Sequence, residues 1–163
     1  MTPVTTLSTK QPNALLAFLY GGFICGCMDI TAALVVYGSV YGVKPLRLLQ
    51  GIAGGLLGPR TFEGGIITAV LGLFCHFLIA FSAAATYVLV SRSVPALLEH
   101  PFLFGPLYGI AVYFFMNRVV VQLSNATKYP FSLQLMLIGV VIHISCVGTP
   151  IALAARRFLL LRG

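Results

Sequence analysis

The chain has 163 residues, of which 59% are hydrophobic and 8% charged, with a formal net charge of +7 and a mean hydropathy of +1.01. That balance excludes an ordinary soluble domain and places the chain in a bilayer. The length leaves room for one bundle of about four spanning helices of roughly 20 apolar residues each, and for no soluble domain beside it.

Met1 to Gln11 carries a single Lys before the first apolar run, and that run is too long for a signal-peptide core, so an uncleaved first span is expected. The first span is read at about 14–41 and ends in the stretch from Gly38 to Pro45. The segment 45–58 is neither loop nor span. Leu46, Leu49, Ile52, Ala53, Leu56 and Leu57 recur at helical spacing, with Arg47, Gln50, Gly51, Gly54 and Gly58 largely opposite, which predicts an amphipathic helix at the interface or dipping part way in. At about 21 Å it is too short to cross.

The remaining spans are read at about 64–90, 102–121 and 132–155, the last closed by Arg156 and Arg157. Pro101, Pro106 and Pro130 are placed near helix starts, where a missing N–H does least harm. Tyr20, Tyr37, Tyr41, Tyr87 and Tyr129 are read as an interfacial belt. The expected fold is thus a single all-α transmembrane domain over 1–163, a four-helix bundle with one interfacial helix between its first two spans. A weak internal repeat pairs Tyr20-Gly21 and Met28-Asp29 with Tyr108-Gly109 and Met116-Asn117, and Gly72, His76 and Ser82 with Gly139, His143 and Thr149. It would make the bundle two tandem helix hairpins related about the membrane normal.

The cations gather at segment ends, which suits lipid headgroups and topology selection and not a nucleic-acid surface. Lys10, Arg92, Arg156, Arg157 and Arg162 fall on the amino-terminal side, and Lys44, Arg47, Arg60, Arg118 and Lys128 on the other. The terminal amine and the Arg pair favour both termini in the cytoplasm. Cys25, Cys27, Cys75 and Cys146 all lie inside apolar spans and do not read as a disulfide framework.

Asp29, His76 and His143 each sit near the centre of an apolar stretch. An ionisable group in hydrocarbon costs a few kcal/mol or more unless it faces a partner or water, so three at similar depth predict one interior site. Tyr113 and Asn117 are expected to extend a proton or ion pathway through that cluster, with Arg118 at the interface or turned inward as counter-ion to Asp29. The same donors, with Cys146, have the ligand types of a divalent transition-metal site, and His76 and His143 could be the axial ligands of a haem. A third reading has the polar groups merely satisfying one another in a structural or partner-binding subunit. No phosphate loop, nucleophile elbow or zinc-protease motif occurs, which points away from an enzyme.

Gly22 and Gly26, Gly51 and Gly55, and Gly105 and Gly109 are four-apart pairs expected to let helices approach closely, within the chain or in a homo-oligomer. Asn125-Ala126-Thr127 has the form of a glycosylation acceptor, which a bacterial chain would not use.

The succession of Tyr20-Gly21-Gly22, Arg47-Leu48-Leu49-Gln50-Gly51, His76-Phe77, Pro106-Leu107-Tyr108-Gly109 and Arg156-Arg157 resembles small bacterial inner-membrane proteins. More distantly it is similar to the YagU-like group, in which a His-Phe span with Ser and Ala precedes a Gly-rich third span. The resemblance implies a multi-pass inner-membrane protein without an assigned reaction, and it carries over no functional residues.

Overall fold

The computed structural model describes residues 12–160. It is all helix, with four helices long and apolar enough to cross a membrane: Ala14–Tyr41, Gly65–Ser91, Pro101–Leu123 and Leu133–Leu159. This is a multi-pass, all-α four-helix bundle. Leu15, Phe23, Ile67, Phe74, Phe102, Phe115 and Leu137 point outward, as lipid-facing side chains must. Lys10 and Arg162, two of the cations counted on the amino-terminal side, lie outside the described residues.

The spans form an open ring in the order two, one, four, three. Span one packs along spans two and four, and span three packs along span four, while spans two and three share no extended helix contact. The Pro45–Leu57 helix starts at Pro45, whose absent N–H is harmless in a first turn, and packs on the near half of span two. Its buried Gln50 donates to Gly65 O at 3.0 Å, Thr61 Oγ1 donates to Gln50 O at 2.7 Å, and Thr68 Oγ1 donates to Thr61 O at 2.7 Å. The amphipathic helix is therefore pinned into the bundle by a buried polar chain. Its far end is tied to the end of span three: Asn125 N donates to Gly55 O at 3.0 Å and Asn125 Nδ2 to Leu56 O at 3.1 Å. The Asn of the glycosylation-like triplet thus serves as a structural tie.

Small residues decide which crossings are tight. A Cβ on Gly109 would meet His143 O, and one on Gly148 would meet Gly105 O and Gly109 N, so spans three and four touch backbone to backbone. Gly22 and Gly26 receive the rings of Phe81 and Phe77 from span two. Gly72 lies against the backbone of Leu49. Gly51 departs from the expectation, since a Cβ there would meet nothing within 4 Å, and Gly55 has only Ser124 at 3.8 Å. That pair faces a cavity and makes no close helix crossing within the chain.

Two spans are locally widened. Span three becomes a π-helix over Met116–Val120, and span four over His143–Gly148. Beside the second widening Pro150 has no N–H to offer Cys146 O, four residues back, while Ile144 O accepts both the backbone N–H of Thr149 and its Oγ1, the latter at 2.7 Å. In the first, Asn117 Nδ2 donates to Tyr113 O at 2.9 Å and Gln122 Nε2 to Asn117 O at 3.2 Å. Pro106 lies inside a helix and not near its start. Tyr87 does not belong to an interfacial belt: it is 2% exposed, and its hydroxyl donates to Leu97 O at 2.9 Å.

The two ends of the bundle differ. At the end that holds Asn13 and Phe158, Ala17, Ala84, Ile151, Ala152 and Ala155 close the core. Tyr108 joins spans two and three there, its hydroxyl donating to Ala83 O at 2.7 Å and its ring set against Tyr87 at 5.0 Å. Arg156 Nη1 donates to Leu98 O at 3.2 Å and Glu99 O at 2.6 Å, and Asn13 N to Phe158 O at 2.9 Å. Toward the opposite end the ring is splayed.

Candidate functional site: a one-sided cleft with an ionisable floor

The splayed half contains a cleft of two lobes that share Asp29, Tyr37, Asn117, Tyr129 and His143 in their walls. The inner lobe, about 460 Å³, lies between spans one, two and three and is lidded by Leu48, Gly51, Ile52 and Gly55 of the amphipathic helix. The outer lobe, about 660 Å³, lies between spans one, three and four and reaches the loop from Thr127 to Ser132. Asp29, His76 and His143 stand about 15–18 Å of helix from the splayed end, near half of a hydrocarbon core of roughly 30 Å.

His76 is held by a bond across the bundle, its Nε2 lying 2.9 Å from Gly26 O. Because a carbonyl only accepts, that nitrogen carries the hydrogen, and Nδ1 is left facing Asp29 Oδ2 at 4.0 Å. The side chains are 12% and 20% exposed, enough for the cleft to reach them and too little for bulk hydration. A carboxylate and an imidazole so placed can take up one proton between them and form a neutral pair.

His143 is set differently. Its Nδ1 lies 2.9 Å from Gly139 O of its own helix, which leaves Nε2 as the acceptor, and the ring stands edge-on to Tyr113 at 5.3 Å. The expected repeat is therefore unequal at its histidines, one bonded across the bundle and one within its own span. Asn117 joins the inner wall from the π-turn of span three.

Arg118 lines the outer lobe and is exposed. It does not pair with Asp29: the ion pair within 4.0 Å among the described residues is that of Asp29 with His76. Cys146 is half-buried and lines neither lobe, whereas Cys25, a turn from Asp29, does. Among the described residues no three His, Cys, Asp or Glu side chains gather as a set that could hold a metal ion. His76 has Nε2 engaged by Gly26 O and Nδ1 turned to Asp29, and His143 has Nδ1 engaged by Gly139 O. Asp29, His76, His143 and Cys146 thus do not gather as one metal-binding set among the described residues.

Two features of the site are absent from the sequence reading. The π-turns begin at or beside the polar residues, and Pro150 after Gly148-Thr149 is the signal that could have located the one in span four. The cationic rim, from Arg118 and Lys128, comes together only because the loop after span three folds back over the cleft.

No protein-family model, curated protein or solved structure matches the chain.

Proposed function

We propose that this protein is a small proton-coupled transporter of a bacterial inner membrane, with both termini in the cytoplasm and the Asp29–His76 pair as its proton-binding switch. The observation that carries this reading is the placement of that pair at mid-depth, on the floor of a cleft that is splayed toward one end and sealed toward the other. Cargo and proton enter from the splayed end. Asn117 and His143 face the same space, and His143 Nε2 is the next proton acceptor along the wall. Tyr113 sets the edge of that ring. Arg118 stands at the outer lobe and biases the cleft toward negative charge.

Release on the other side requires the sealed half to part, which means breaking the Tyr108, Asn13 and Arg156 bonds to backbone carbonyls. The π-turns in spans three and four are the places where those helices can bend, because the ladder is already interrupted there.

The test is proton flux in proteoliposomes read with an entrapped pH dye. Asp29→Asn removes the titrating carboxyl while keeping its shape, and flux falls to the level of empty liposomes although the protein elutes and melts as wild type. Undiminished flux in that variant would remove the reading.

A further inference from the structure

The two lobes differ in chemistry, and the difference points to what the cleft holds. The inner lobe is walled largely by Ile30, Ala33, Ile52, Ile79, Val112 and Val121, with Asp29, His76 and His143 at its floor and Tyr37, Asn117, Ser124 and Tyr129 nearer the splayed end. The outer lobe carries Arg118 and Lys128 beside Tyr129 and Ser132. Both cations are exposed, and neither has a carboxylate within 4.0 Å among the described residues; Lys128 Nζ donates to Ser124 O at 3.3 Å. A wholly apolar ligand would leave those cations unused. A small hydrated anion would leave the inner lobe to water it cannot bond. A cation would meet two like charges on entry. An anionic head joined to a hydrocarbon tail satisfies both lobes, and the combined space is of the size that small-molecule sites have.

Access fits the same chemistry. Spans two and three make no extended contact, so in the splayed half the inner lobe is bounded between them by the Pro45–Leu57 helix and its tie at Asn125, not by packed spans. A tail can enter through that gap from lipid while its head stays at the cationic rim. We infer that the cleft binds an anionic amphiphile, with a carboxylate or phosphate head on Arg118 and Lys128 and its chain in the inner lobe. That this ligand is the cargo rests on the transport reading; that it occupies the cleft does not.

Occupancy is read without any gradient, in phosphatidylcholine nanodiscs, by photo-crosslinking with a dodecanoate that carries a diazirine on its chain. Labelled peptides are mapped by mass spectrometry. Label is expected on the Leu48–Gly55 and Val112–Val121 peptides, displaced by excess plain dodecanoate and reduced about tenfold in Arg118→Gln with Lys128→Gln, both changes lying at exposed positions that leave the melting temperature unchanged. Phosphatidylglycerol with the same photoreactive chain forms the second arm. Saturable, cation-dependent label from either probe supports the inference, and the stronger of the two identifies the head as that of a free acid or of a membrane lipid. Equal label from the corresponding dodecanol probe, or label indifferent to the double substitution, overturns it. Loss of labelling specificity with Asp29-dependent flux intact would strike the ligand alone; intact labelling without flux would strike the transport reading alone.

Discussion

Gly109 and Gly148 show how little room the bundle leaves at its tight crossing. Each would place a Cβ inside van der Waals distance of the opposing backbone, where nothing flexible can give way. Gly148→Ala should therefore destabilise the protein by about 1–3 kcal/mol or more through overpacking, read as a fall in melting temperature in detergent. Gly51→Ala, with empty space around its Cβ, should hold or raise that temperature, since Ala is the better helix former by about 1 kcal/mol. Four-apart glycines were visible in the sequence, but spacing does not say which copy meets a neighbour. Gly105 and Gly109 do, while Gly51 and Gly55 line a cavity, and Gly72 and Gly148, neither with a glycine four residues away, make the two closest approaches to a neighbouring backbone.

At the scale of the element, the spans were legible to within a few residues because a long apolar run in a bilayer has only the helix available to it. Departures from regular helix were not legible. They coincide with side-chain donors to backbone carbonyls, and Thr149 beside Pro150 is the clearest instance. Thr149→Val removes the hydroxyl, one of the two donors to Ile144 O, while keeping the side-chain shape. It should cost about 1 kcal/mol and speed hydrogen exchange of the His143–Gly148 amides relative to the rest of span four. Unchanged exchange there would mean that the widened turn stands without its hydroxyl. The depth shared by Asp29, His76 and His143 could be counted along the apolar runs. The direction of each ring could not, because it depends on Gly26 O reaching His76 from another span and on Gly139 O capturing His143 locally.

The molecule as a whole is asymmetric along the membrane normal, and composition gives no hint of it. Alanines and Tyr108 seal one end, while the Pro45–Leu57 helix props the other. In a cysteine-free background, Gly51→Cys should react with a membrane-impermeant thiosulfonate added on the Lys44 side, and Ala17→Cys, in the sealed core, should not. Equal reactivity at both positions would contradict a one-sided cleft. Replacing Tyr108 with Phe removes its bond to Ala83 O, and should make Ala17→Cys measurably reactive from the opposite face.

The pair of hydrogen bonds from Asn125 to Gly55 and Leu56 works as a lintel over a doorway. It fixes the width of the lateral opening by joining two segments almost seventy positions apart, at a place where the posts themselves do not lean on each other. Its strength therefore sets how readily a chain slips sideways between bilayer and protein, separately from whatever governs passage along the membrane normal.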